Sequence, residues 1–247
     1  MLGSGAFWRS TRDYEANMYV GQSESALQLT IEQMQAIERA LSRDRLKTYM
    51  KAAGFDRSMA LALYIWNERV AESLHFPLST CEVSLRNATS IVISSYYGSE
   101  WHNDNTFLSQ LPSRYKSDVD NVKSRCNKRG VTLDTSRVVS ELSFGFWVNV
   151  LGRRYDMTLW RNNIYSAFPN AEQGTSLKMI HTRANAIRGL RNRIAHLEPL
   201  LGRDLSLEHT HILEFISWIC PQTAQWVNDN SDFQSVIRQR PSKDPRR

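Results

Sequence analysis

A chain of 247 residues is long enough for one sizeable domain or two small ones. Its 41% apolar and 23% charged residues predict a packed core rather than a disordered chain. The formal net charge of +6 admits a polyanionic partner, but only the placement of the charge says where that partner would sit. Cys81, Cys126 and Cys220 cannot all pair within one chain, and none lies in a Cys-x-x-Cys or Cys/His cluster. They read as reduced thiols, with Cys81 and Cys220 expected to be buried. No apolar run approaches the length of a membrane span, and Met1–Gly21 lacks an apolar signal core. The cytoplasm is therefore the expected compartment, with residues 1–24 as a flexible leader and no membrane contact.

In chain order, Thr30-Ile-Glu-Gln33 is a capping box and opens a first helix. A second helix is predicted from Arg43 to Ala53, stopping at Gly54. Asp56 caps a third, which ends before Pro77. Ser79-Thr-Cys-Glu82 reads as another capping box, opening a fourth helix that runs to Gly98. Residues 99–111 read as a loop. A basic helix follows from Ser113 to Arg129, with six Lys or Arg against Asp118 and Asp120. One helix capped by Asp134 or Thr135 is predicted through Val138, Leu142, Phe146, Trp147 and Val150. A short helix around 157–168 ends at Pro169. Thr175 caps a long helix to His196, and Leu205–Ile219 is a helix bounded by Pro221. Two short pieces around Trp226 and Phe233 complete the pattern. No strand-type alternation persists, so the expected fold is an all-α multi-helix bundle of mostly antiparallel helices. One helical domain is expected over residues 25–238, in which the 99–111 loop could separate lobes 25–98 and 112–238. Residues 239–247 read as a disordered basic tail.

The long helix near residue 190 carries the chemistry. Between Gln173 and Leu197 there is no acidic residue, while Lys178, Arg183, Arg188, Arg191 and Arg193 all fall inside. That is an unopposed positive field, suited to RNA. Within it, Arg191-Asn192-Arg193-Ile194-Ala195-His196 holds an arginine five positions before a histidine. A fixed guanidinium can hold a phosphodiester and an imidazole can move its proton. Arg-x4-His by itself is expected by chance about 0.6 times in this composition, and about 0.04 times when Asn must follow the Arg. Helical phase puts Leu177, Ile180, Ala184, Ile187, Leu190 and Ile194 on the buried face and directs Arg191 into the middle of it. His181, Asn185, Arg188, Asn192 and His196 form a polar stripe along its edge. Two structural alternatives stay open at this point. His196 could cap the carbonyl end of its helix, and Arg191 could pair with a carboxylate such as Glu82, Glu141 or Glu214.

Leu190-Arg-Asn-Arg-Ile-Ala-His-Leu-Glu-Pro199 resembles the signature of bacterial Abi-like (abortive infection) proteins, which are similar to the HEPN superfamily of helical ribonucleases. Leu63-Tyr-Ile-Trp-Asn67, Glu82-Val-Ser-Leu-Arg-Asn87 with Tyr97-Gly98 and Trp101, Glu141-Leu-Ser-Phe-Gly-Phe-Trp147 and Trp218-Ile-Cys-Pro221 match the same pattern in order. The resemblance spans roughly residues 40–237. Two positions depart from it: Leu197 stands where many relatives have a second histidine, and Glu198 where some HEPN toxins have a tyrosine.

The resemblance implies a HEPN-like fold and an endoribonuclease toxin of a phage-defence or toxin–antitoxin system. It further implies a homodimer, no cofactor, no metal, and an antitoxin of protein or RNA as a further partner; RNA, with tRNA among the candidates, would be the substrate. Arg191, Asn192 and His196 would be catalytic, with the second histidine supplied by the partner copy. His181, Asn185, Arg188, Arg193, Glu82, Arg86 and Asn87 would support them or bind RNA. Glu82 and Arg86, four apart, also read as a simple intrahelical ion pair. The alternative from another class is a non-catalytic RNA-binding or scaffolding helical protein that keeps Arg191 and can lose His196. A third reading is a structural module whose motif only knits the helices together.

Overall fold

In the computed structural model, residues 29–242 are described, and every regular element among them is helical. The leader at 1–24 and the final residues 243–247 lie outside that range. Twelve α-helices occur in the described residues: α1 (Ile31–Leu41), α2 (Arg43–Ala52), α3 (Arg57–Tyr97), α4 (Asn105–Gln110), α5 (Ser113–Lys128), α6 (Thr135–Glu141), α7 (Phe144–Val150), α8 (Ile164–Ala167), α9 (Leu177–Ala195), α10 (Leu205–Ile219), α11 (Pro221–Asp229) and α12 (Phe233–Arg238). The fold is all-α.

Two compact units divide the chain. The first comprises described residues 29–72, 199–203 and 233–242; the second comprises 73–198 and 204–232. The division falls within α3. The expected loop at 99–111 lies inside the second unit.

In the first unit, the Thr30 capping box forms in full: Thr30 Oγ1 accepts from the Gln33 N–H, and Gln33 Oε1 accepts from the Thr30 N–H. Leu46, Tyr49, Ala53, Ala60, Leu61 and Leu63 make the core, with Met34, Ile37 and Leu41 of α1 laid against it. Asp56 caps α3 through its Oδ1 to the Met59 N–H. Asn67 is buried and its Oδ1 accepts from the Leu200 N–H at 2.7 Å, while Trp66 Nε1 donates to the Val236 carbonyl. The Leu63–Asn67 motif thus pins two distant backbone segments to α3.

Several sequence expectations fail, each for a physical reason. Pro77 does not end a helix: α3 runs through it for 41 residues. Leu74, Leu78, Cys81, Leu85, Ala88 and Val92 form one buried row across the proline. Burying each large apolar side chain is worth about 1.5–3 kcal/mol, so the row outweighs the roughly 3 kcal/mol an interior proline costs. The Ser79 box is consequently unused, and Ser79 Oγ donates to the Phe76 carbonyl instead.

The 99–111 stretch is not a loop, because Trp101, His102 and Phe107 are buried in a 3-10 turn and α4. The helix predicted from Asp134 to Val150 is two helices. It breaks after Glu141, where Leu142 turns extended and Ser143 caps α7 by accepting from the Phe146 N–H. Asp134, not Thr135, caps α6; the Thr135 hydroxyl donates to the Ser99 carbonyl. Last, α9 is capped by Ser176, whose Oγ accepts from the Met179 N–H, and not by Thr175, which is buried.

The core of the second unit is aromatic. Trp101, Phe107, Phe146 and Trp147 meet at ring centroid separations of 5.0 to 6.3 Å, mostly edge to face. This cluster fixes α7, and α9 packs against both α7 and α10. Cys81 and Cys126 are buried, whereas Cys220, expected to be buried, is half-exposed at the start of α11. All three thiols are unpaired. Among the described residues no helix is long and apolar enough to cross a membrane.

Candidate functional site

The apolar face of α9 follows its predicted phase as far as Leu190. Leu177, Ile180, Ala184, Ile187 and Leu190 are all buried. Beyond that point the packing partners end. Ile194 is half-buried, and Arg191, Asn192, Ala195 and His196 are exposed. Arg191 is therefore not sunk in the apolar face: its side chain is 44% exposed. Periodicity names the face but not how far its neighbours extend.

Arg191 Nε lies 3.6 Å from Glu82 Oε2 of α3. Of the three carboxylates considered for it, Glu82 is the partner; Glu141 is held by Arg125 at 2.8 Å and Glu214 by Arg183. The pair predicted between Glu82 and Arg86 does not form, and Arg86 NH1 donates to the Ser140 carbonyl at 3.4 Å. An ion pair this exposed contributes under about 1 kcal/mol, so its consequence is orientation of the guanidinium rather than stability.

His196 is the C-cap of α9. Its N–H bonds to the Asn192 carbonyl, Leu197 N–H to Ile194 O, and Glu198 N–H to Arg193 O, each at 2.9 Å. These bonds are the Schellman pattern, with Leu197 in the left-handed region at φ 56°. The backbone of His196 thus closes the helix, while its ring has no hydrogen-bond partner among the described residues. A leucine in this conformation is strained by about 1–2 kcal/mol. Leu197 is 56% exposed, so little burial would be lost on replacing it. Leu197→Gly should raise stability by about 0.5–1 kcal/mol, after allowing for the freer unfolded chain; an unchanged or lower denaturation midpoint would contradict this.

The positive field expected along α9 is largely answered by carboxylates from elsewhere in the chain. Arg183 pairs with Glu214 and lies over the Trp218 ring, Arg193 pairs with Glu198, and Arg191 with Glu82. Lys178 and Arg188 have no carboxylate partner among the described residues. Arg188 NH2 donates to Asn185 Oδ1 at 2.6 Å. Its other end sits beside Gly145, along with the Tyr115 and Ser143 hydroxyls, where a Cβ would meet all three at 3.6 to 3.7 Å. Elsewhere, Arg125 of the basic α5 is occupied by Glu141, and Arg154 NH1 donates to the Gln110 carbonyl.

Burial, followed by the charge of Arg188, holds the His181 imidazole below the usual histidine range. Burial likewise lowers His102 and His209. A histidine depressed in the folded state is protonated first in the unfolded chain. Its contribution to stability is full above pH 6.5, the unperturbed value, and falls as pH drops below it. The melting temperature should fall between about pH 7.5 and pH 5.5, and His181→Gln should reduce that fall. A flat profile would contradict the prediction.

A recess of about 530 Å³ lies between α3 and α6. Arg86 and Asn87 line it together with serines that the sequence pattern did not single out. The signal was present: Ser90 and Ser94 on α3, and Ser136 and Ser140 on α6, are each one helical turn apart. Small side chains at that spacing leave a gap where two helices meet. Among the described residues no three His, Cys, Asp or Glu side chains converge in a way that could hold a metal ion.

No protein-family model matches the chain, and no curated protein or solved structure matches it.

Proposed function

We propose that the chain is an endoribonuclease of the HEPN kind, working without metal as a toxin of a bacterial phage-defence or toxin–antitoxin system in the cytoplasm. The observation that carries this reading is the exposed end of α9, where Arg191 and His196 both lie open to solvent within the last turns. Arg191 is oriented by Glu82 and His196 has a ring without a partner. Solvent exposure of a fixed cation and a titratable ring suits a polyanion that arrives from outside the molecule.

In this mechanism, His196 takes the proton of a ribose 2′-hydroxyl, and that oxygen attacks the adjacent phosphorus. Arg191 stabilises the charge gathering on the phosphoryl oxygens. Asn192, one position on, orients the phosphate. The P–O5′ bond breaks as a second histidine protonates the leaving oxygen, giving a 2′,3′-cyclic phosphate and a 5′-hydroxyl. One copy offers a single such imidazole on this turn, and a homodimer supplies the second by symmetry. A restraining antitoxin, protein or RNA, belongs to the same proposal.

The test is incubation of purified protein with total RNA and with tRNA in EDTA, beside His196→Ala. The expected result is metal-independent cleavage with cyclic-phosphate ends that the variant lacks. Identical RNA patterns from the two proteins would sink the nuclease and favour a non-catalytic RNA binder.

A further inference from the structure

The α3–α6 cleft holds a cation that the fold leaves short of acceptors. Arg86 has five N–H donors. Among the described residues no carboxylate pairs with it, its Nε is sealed from solvent without a hydrogen-bond partner, and its bond to the Ser140 carbonyl is long at 3.4 Å. Glu82, which its spacing made the natural partner, is engaged with Arg191. None of the residues lining the cleft is acidic. The carboxylate at the start of α6, Asp134, is tied to its own helix end by the Arg137 N–H and the Ser136 hydroxyl. A half-buried guanidinium in such surroundings is a site for an anionic oxygen.

The rest of the lining suits more than a bare anion. Ile91, 68% exposed, and the buried Val139 give the cleft two apolar walls. The Asn87 amide can both donate to and accept from a base edge. The Ser90 and Ser94 hydroxyls carry no hydrogen bond to other described residues. A cleft of this volume falls within the range of small-molecule sites.

Position links the cleft to α9. Arg86 follows Glu82 by one turn of α3, a step of roughly 5–6 Å between Cβ atoms. That is the order of the step between neighbouring phosphates of a single strand. We propose that the cleft between α3 and α6 is a nucleotide subsite for the RNA strand. Arg86 holds the backbone phosphate next to the one handled by Arg191 and His196, and the attached base lies between Ile91 and Val139. The subsite rests on the ribonuclease reading for its substrate, and would give cleavage a preference for the nucleotide beside the cut.

The experiment uses a 2′-O-methyl RNA oligonucleotide, which lacks the attacking hydroxyl and so reports binding alone. Its affinity is measured by fluorescence anisotropy across a salt series for the wild type, Arg86→Gln and Ile91→Glu. A single-stranded contact with one phosphate contributes about 0.7 to the slope of log K against log salt, and Arg86→Gln should lower the slope by about that amount. Ile91→Glu puts a carboxylate at an exposed helical position, where substitutions cost little stability, and should weaken binding by about fivefold or more through like-charge repulsion. Equal affinities and slopes for all three proteins would overturn the subsite. So would saturable binding of a free 5′-mononucleotide, by calorimetry, that leaves oligonucleotide affinity unchanged, since the cleft would then serve a free small ligand. Cleavage lost in His196→Ala with Arg86-independent binding removes the subsite and leaves the nuclease. Arg86-dependent binding in a protein that cuts no RNA does the reverse.

Discussion

His196→Ala should lower RNA cleavage by about 10²–10⁴-fold, the usual contribution of a positioned acid–base group, and leave RNA affinity within about twofold. The substitution is structurally mild. His196 closes α9 through its backbone, and its ring is exposed and has no hydrogen-bond partner among the described residues, so folding loses little. Arg191→Ala should behave differently. It removes a charge that, in the proposed mechanism, meets the phosphate in both ground and transition states, so affinity and turnover should both fall, turnover by about 10²–10³-fold. Glu82→Gln frees Arg191 from its 3.6 Å partner without removing the cation. Turnover should then fall less than in Arg191→Ala, with affinity held or raised as a nearby negative charge is lost. Single-turnover cleavage alongside binding separates these patterns. A His196→Ala protein that cuts at the wild-type rate, or an Arg191→Ala protein that cuts normally, is incompatible with the mechanism.

What could be read from the sequence was mostly local. The Thr30 box, the Asp56 and Asp134 caps, and the bounds of α10 at Leu205 and Ile219 are set by hydrogen bonds spanning three or four residues, and they stand as expected. Pro77 and the 99–111 stretch did not, because burial against distant residues decided them. The same division runs through the candidate site. The phase of α9 correctly identified its buried face, yet the exposure of Arg191 depends on where neighbouring helices stop. The positive field looked unopposed because two of its counter-charges, Glu82 and Glu214, lie more than thirty positions away on other helices, and the third, Glu198, falls one residue past its end. The α3–α6 cleft needed both of its serine pairs brought face to face before either had meaning.

Trp101→Ala should cost about 3–5 kcal/mol, a large part of the 5–15 kcal/mol that typically holds a domain together. Trp101 is fully buried, with Phe107 at 5.5 Å, Trp147 at 6.1 Å and Phe146 at 6.3 Å between ring centroids. Phe146 and Trp147 belong to α7, on which α9 packs, so the cavity would loosen the support of Arg191 and His196 as well as the core. Its indole N–H has no acceptor among the described residues. Trp101→Phe therefore sacrifices volume but no hydrogen bond. Trp160 is equally buried, yet its Nε1 donates to the Val150 carbonyl at 2.8 Å. Trp160→Phe strands that carbonyl in an apolar interior and should cost about 1–3 kcal/mol more than Trp101→Phe. Chemical denaturation of the two phenylalanine variants isolates the hydrogen bond from the packing, since both delete the same atoms. Equal midpoints would mean that the Trp160–Val150 bond contributes nothing beyond volume.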